Sequence, residues 1–243
     1  MTLQETTTIG DFVAKDYRTA AVFSKYGIDF CCKGHRTIDE VCSKKDINEP
    51  QLLSELNAVL DAKNDAENDF DSWSLDVLID YIEKTHHRFV EEKTQILIPF
   101  LAKLCSVHGE NHPELFEINN LFNDSAKELA SHMKKEELIL FPFIKEMINA
   151  TKSHGTIGKP FFETVKNPIA AMMSEHENEG ERFRTISALT QNYTPPNDAC
   201  NTYITTYKML EDFEQDLHKH IHLENNILFP KAAKLERQFI PQQ

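Results

Sequence analysis

Glycine is scarce in this chain, with only seven among 243 residues, and the long stretches between them are rich in Glu, Lys, Leu and Ala. That balance belongs to helices rather than to turn-rich β structure. Basic residues are short as well: 26 Lys and Arg stand against 39 Asp and Glu, giving a formal charge of −13 and a pI near 5.3. Such a deficit argues against nucleic acid or an anionic membrane surface as partner. No apolar run approaches the ~18 residues of a membrane span. Met1 to Glu5 has neither the basic nor the apolar region of a secretory leader. The cysteines, at 31, 32, 42, 105 and 200, are odd in number and scattered, unlike a disulfide framework. A reducing cytoplasm is the expected setting.

What is present is a repeat. His132-Met133-Lys134-Lys135-Glu136-Glu137-Leu138-Ile139-Leu140-Phe141-Pro142 returns as His220-Ile221-His222-Leu223-Glu224-Asn225-Asn226-Ile227-Leu228-Phe229-Pro230, displaced by 88 positions. Both copies read His-x-x-x-Glu-x-x-Ile-Leu-Phe-Pro. Residues four apart share a helix face, so each copy aims an imidazole and a carboxylate at one point. Lone histidines precede each copy at matching distances: His87 lies 45 residues before His132, and His176 lies 44 before His220.

These spacings predict four long helices in two hairpins, over about 74–105, 113–147, 168–189 and 198–235. Pro99 and Pro142 are expected to bend the first two, and the irregular crossing spans Gly155 to Pro168. Ahead of them, residues 1–65 read as a small helical domain. Phe12, Val13, Tyr17, Ala20, Ala21 and Phe23 suggest one apolar stripe closed by Gly27. Thr37-Ile38-Asp39-Glu40 is a capping box, and Asn48-Glu49-Pro50 opens a further helix with Leu52, Leu53, Leu56, Val59 and Leu60 on one side. This piece is too small to be robust alone and is expected to lean on the long helices. The polar stretch from Lys63 to Asp71 reads as a linker, and the bundle as residues 72–240.

A repeat can be purely structural, but burying His and Glu beside its apolar positions is costly unless they hold something. Four imidazoles and two carboxylates form a mixed nitrogen and oxygen set suited to iron or manganese. Two facing carboxylates would repel without cations between them. With each Glu bridging two metals, and two His per metal, an open coordination position is left for exogenous chemistry. The ferritin-like motif is Glu-x-x-His, so the reversed order and wider spacing here point away from ferritins.

The bundle resembles a hemerythrin-like domain. Together with the loop Asp29-Phe30-Cys31-Cys32-Lys33-Gly34, it resembles the family of di-iron proteins for repair of iron centres. The motifs that carry the resemblance are Tyr26 to Cys32, Ser131 to Pro142, Ser174-Glu175-His176 and His220 to Pro230. The resemblance implies an all-α fold: a hemerythrin-like four-helix bundle preceded by a small helical domain. It implies two Fe ions in an oxo- and carboxylate-bridged non-haem centre, held by His87, His132, Glu136, His176, His220 and Glu224. It also implies a cytoplasmic role in restoring iron–sulfur clusters after nitrosative or oxidative damage, with damaged iron–sulfur proteins as clients. A homodimer is compatible with the sequence. The rival readings are a hemerythrin-type carrier or sensor of oxygen or nitric oxide, and a di-iron nitric oxide reductase or oxidase.

At Thr85-His86-His87-Arg88 two ligands compete. Helical phase with Ile79, Ile82, Phe89 and Val90 favours His86, whereas the family pattern favours His87, which is preferred. Cys31 and Cys32 are the candidate reactive pair. Adjacent Cα atoms lie ~3.8 Å apart, below the ~4.4 Å usual for disulfides, so two thiols are expected. Lys33, His35 and Arg36 are expected to favour the thiolate. His218 and His222 are expected to be solvated, Cys42, Cys105 and Cys200 to be packing residues, and Glu128 and Glu175 to orient ligand rings, line a path for iron or stand as surface acids.

Overall fold

The computed structural model describes residues 7–62 and 69–239. Thr8 opens α1 (Ile9–Lys15) and Thr37 opens α3 (Ile38–Lys45), each through a complete capping box that satisfies two amide groups otherwise without partners. Asn48 caps α4 (Glu49–Asp61), where Leu52 and Leu56 are fully buried and Leu53, Val59 and Leu60 partly so. The expected single stripe from Phe12 to Phe23 is two helices, α1 and α2 (Thr19–Lys25). Asp16 breaks it, with an extended backbone at φ −151° and a buried carboxylate that accepts from the Arg18 amide and guanidinium. Gly27 closes α2 at φ +61°, a conformation that costs a side chain-bearing residue free energy.

The four long helices come next, in two hairpins. The first rod is α5 (Leu75–Tyr81), a wide π turn at Ile82–His87, and α6 (Arg88–His108), which runs on through Pro99. The second is α7 (Glu114–Lys135), a π turn at Glu136–Leu140, and α8 (Phe141–Ser153). The third is α9 (Lys166–Leu189), and the fourth is α10 (Asn201–Leu223), a π turn at Glu224–Leu228, and α11 (Phe229–Glu236). α6 packs on α7 and α10, and α9 on α7 and α10, which closes the bundle.

Two of the three π turns have a cause in the sequence. Pro142 and Pro230 lack an amide hydrogen, and each ring would clash with a carbonyl four residues back. The turn before each proline widens instead, so the amides of Phe141 and Phe229 bond five residues back, to the carbonyls of Glu136 and Glu224.

Two hydrophobic clusters fill the molecule. One contains Leu97, Leu101, Phe122, Phe183, Leu210 and Phe213, and the other Leu78, Ile82, Ile144, Met172, Leu228 and Phe229. On each rod the candidate ligands fall between the two. The first cluster also takes in Ile9, Phe23, Leu52 and Leu56, so the N-terminal helices share the bundle's core, as their small size requires. Of the expected linker, residues 63–68 lie outside the described residues. Its last part is packed: Phe70 is 2% exposed, with its ring against Trp73, Tyr81 and Tyr17 at 4.9, 5.7 and 6.3 Å. An aromatic in an acidic run finds its partners in tertiary structure, which composition does not show.

Candidate metal centre

Six buried side chains converge between the two cores. His87, Glu136, His220 and Glu224 form one group with ligand atoms mutually within 4.8 Å, and His132, Glu136, His176 and Glu224 form a second. Both carboxylates belong to both groups. His87 Nε2 lies 3.4 Å from a Glu136 oxygen and 4.0 Å from Glu224, and His132 Nε2 lies 3.4 Å from the same Glu136 oxygen. His176 and His220 reach different oxygens of Glu224, at 3.1 and 2.9 Å.

His87, not His86, enters this cluster, and the π turn explains why. One extra residue rotates everything beyond it by about 100°. His87 therefore continues into the buried series Val90, Leu97, Leu101 and Leu104. His86 is equally buried but turns its Nδ1 to Asp216, 2.9 Å away.

The far nitrogen of three rings is fixed by a neighbour. Nδ1 of His87 is held by Glu137 at 2.7 Å, that of His132 by Glu175 at 2.8 Å, and that of His176 by Asn225 at 2.8 Å. An imidazole that donates from Nδ1 presents a bare lone pair at Nε2, the form that binds a metal. His132 and His176 bring these Nε2 atoms to 3.0 Å of each other. Without a hydrogen between them, such lone pairs repel. His87 Nε2, both Glu136 oxygens and one Glu224 oxygen are buried and accept or donate nothing. Cations at the two points of convergence would satisfy these atoms, so the donor set fits metal.

Electrostatics of the bare cluster tell the same story. Burial, together with the adjacent Glu224 charge, pushes the Glu136 carboxyl up to about 8. Burial also opposes the charge on Glu224, but His220, His176 and His87 outweigh it and hold that carboxyl well below the usual range. Burial alone would lower His87 and His176, yet the carboxylates carry them up to about 10 and about 9. His132 falls to about 4 through burial and the nearby His176. The cluster thus keeps protons where cations would sit.

Glu175 accepts from His132 and pairs with Lys135. It lines a cleft of about 180 Å³ beside His132 and His176, together with Glu128, Ser131 and Glu179. Glu128 is at the rim, paired with Arg182 at 3.0 Å. His222, expected to be solvated, is fully buried instead, with its ring 5.9 Å from Tyr17 and 6.0 Å from Phe30. The N-terminal helices cover its face. His218 is partly exposed against Phe30.

Cys31 and Cys32 are free thiols with sulfurs 3.8 Å apart. Cys31 is buried, and Cys32 Sγ donates to the backbone carbonyl of His176 at 3.3 Å. The expected thiolate is not favoured at Cys31. Its hydrogen bond with Cys32, its burial and the neighbouring Asp29 carboxylate raise that thiol well above the ordinary range. The cations expected to oppose this point elsewhere: Lys33 towards Glu177 and Arg36 to the carbonyls of Lys33 and Asp29. Asp29, Cys31 and Cys32 themselves form a third group able to hold a cation. Cys200 is no packing residue either. It is exposed, 3.3 Å from His108, and amide hydrogen bonds at the start of α10 together with His108 lower its thiol to about 7.

Sequence reasoning missed the residues next to each repeat Glu. Glu137 and Asn225 hold the lone histidine of their own hairpin, and their place immediately after the repeated Glu was the available signal. Among the described residues, no helix is long and apolar enough to cross a membrane.

Comparison with known proteins agrees with this geometry. Residues 5–60 match the ScdA N-terminal domain, a domain of unknown function, and residues 77–232 match the hemerythrin HHE cation binding domain. The chain is 34% identical over 232 residues to the iron-sulfur cluster repair protein YtfE of Musicola paradisiaca, covering 94% of this chain and 96% of that one. It is 29% identical over 226 residues to the iron-sulfur cluster repair protein ScdA of Staphylococcus epidermidis, covering 93% and 97%. With both domains in the same order over nearly the full length of each relative, the chain belongs to the hemerythrin-like family for repair of iron centres.

Proposed function

We propose that this protein repairs iron–sulfur clusters damaged by nitrosative or oxidative stress, working in the cytoplasm as a non-haem di-iron protein that delivers iron. The observation that carries the reading is that two four-residue groups share both of their carboxylates. His87 and His220 would hold one iron and His132 and His176 the other, with Glu136 and Glu224 available to both. The irons supply redox chemistry and a store of metal; the chain supplies the fixed imidazole tautomers and the dry setting. The likeness to the repair proteins YtfE and ScdA supports the repair role.

In this reading Cys31 and Cys32 pass iron or nitrosyl groups between the bundle and a damaged client protein. Glu128, Glu175 and Glu179 line the cleft that reaches His132 and His176, a polar route suited to a cation. Metal analysis with Mössbauer spectra of the purified protein tests the centre, and two irons per chain with an oxo-bridge signature is the expected result. Changing Cys31 and Cys32 together to Ser should leave that spectrum nearly unchanged while abolishing recovery of a damaged iron–sulfur enzyme. Full recovery with the double variant would remove the thiols from the mechanism.

A further inference from the structure

The two repeat copies are alike at their His and Glu positions and differ just after them. Glu136 is followed by Glu137-Leu138, and Glu224 by Asn225-Asn226. In the first hairpin Leu138 stands 74% exposed. At the matching place in the second, the thiol loop sits on the two asparagines. Asn226 Nδ2 lies within 3.2 Å of the Phe30 carbonyl and 3.3 Å of the Cys31 carbonyl. Its amide is lodged against Gly10 and Gly34, where an added Cβ would meet Asn226 Oδ1 at 2.6 Å in either case. Gly180 plays the same part for Cys32, whose sulfur would lie 3.1 Å from a Cβ there. The equivalent residue in the first hairpin is Glu91, which is exposed and lines an open cleft with Glu83, Lys84, His87 and Glu137.

Asn225 faces both ways. Its Oδ1 accepts from His176 Nδ1 at 2.8 Å, and its Nδ2 donates to the Cys31 carbonyl at 3.4 Å. A carboxylate such as Glu137 accepts on either oxygen and holds its histidine whichever way it turns. An amide does not, because turning it over sets its NH2 against the ring N–H. The orientation must come from elsewhere, and here the Cys31 carbonyl supplies it: a reversed amide would place oxygen against oxygen. The loop is tied to the same ligand a second time, by Cys32 Sγ on the His176 carbonyl.

We propose that Asn225 couples the thiol loop to the metal centre: the docked loop orients the amide, the amide fixes the ring tautomer of His176, and loop docking and occupancy of the His132–His176 half-site strengthen each other. This rests on the di-metal reading. Asn225 is a positioning residue, acting on the metal through His176. The hairpin that carries His87 has a carboxylate in this place and answers to no loop. The two half-sites are therefore unequal, and the one beside the thiols is the one the loop can tighten or release.

Linkage makes the coupling reciprocal, with typical factors of about 5 to 150. The test is site-resolved alkylation of Cys31 and Cys32 by iodoacetamide in the full chain, with and without iron. In the native protein iron should slow labelling by about fivefold or more. Asn225→Asp keeps an acceptor for His176 but replaces the donor to Cys31, so the ratio should fall to about one while iron remains bound. Equal labelling of the native protein in both states overturns the proposal, as does an unchanged ratio in Asn225→Asp, which would mean that iron protects the thiols directly.

Asn226→Ser gives a second, independent arm, since it loosens the loop without touching His176. It should speed labelling and also make one of two irons leave faster to a chelator. Faster labelling with unaltered iron loss overturns the coupling, and this arm decides the matter if Asn225→Asp fails to load. A native chain that binds no iron would instead defeat the di-iron reading. The tautomer claim is then still read separately, at a pH high enough to leave the ring neutral, from the ring 15N shifts of His176, which should show Nδ1–H in the native chain and a mixture in Asn226→Ser.

Discussion

The imidazoles of His86 and His220 lie parallel, with centroids 5.6 Å apart and planes within 6° of each other. His86 thus backs onto a ligand ring instead of entering the cluster, while its neighbour His87 points in. His87→Ala should lower iron content to about one per chain or less. His86→Ala should keep both irons but cost roughly 1–3 kcal/mol of stability, because Asp216 loses its buried partner. Metal analysis and denaturant unfolding of the two variants separate these effects. The opposite order of iron loss would make His86 the ligand.

Glu136 and Glu224 each belong to both ligand groups. Glu136→Ala or Glu224→Ala should therefore remove both irons rather than one, and leave the opposite carboxylate buried without compensation. Iron content near zero in both variants is the expected measurement. Two irons retained in either would refute bridging by that residue.

Iron uptake should release protons. In the bare cluster His87, His176 and Glu136 are raised to about 10, 9 and 8, so all three carry protons at pH 7. Metal binding needs neutral imidazoles and an ionised carboxyl, so those protons must leave. Affinity therefore rises as pH climbs from 7 towards these values and falls on acidification. Calorimetric titration with iron in buffers of different ionisation enthalpy counts the released protons, and a count of zero would contradict the charge distribution described here.

Cys200 should be the fastest cysteine to alkylate at neutral pH. Amide hydrogen bonds from Tyr203 and Thr202, aided by His108, hold its thiol near 7, whereas Cys31 is pushed upward and buried. The rate at Cys200 should rise through a midpoint near pH 7 and then level off. His108→Phe should move that midpoint upward by removing one of the groups that favour the thiolate. An unshifted profile would assign the effect to the helix amides alone.

Much of the fold was legible because the repeat places His and Glu four apart beside a fixed apolar tail, and only a helix gives that spacing a purpose. The four-rod bundle, the capping box at Thr37, the helix start at Asn48 and the convergence of the six ligand candidates all stem from it or from equally local patterns. Two things were not legible, for different reasons. The π turn at Ile82–His87 has no proline after it, so helical phase pointed to His86 while spacing pointed to His87; the inserted residue reconciles them. The packing of Phe70 and the burial of His222 depend on contacts between segments far apart in the chain, and local pattern carries no trace of those.

The polar layer lies between two oily compartments, with Tyr17 packed against both. Metal held by His87, His132, His176 and His220 would tie all four rods together at that level, so in the loaded protein both compartments should melt as one unit. In the metal-free protein the layer is held only by protons shared among buried imidazoles and carboxylates, a weak joint. Amide exchange should then part company along the chain, with Met147, Ile169 and Ala232 losing protection before Leu101, Ile118 and Leu210. Iron in this protein would act as the rivet that makes its unfolding cooperative, and a single melting temperature would be a property of the loaded state alone.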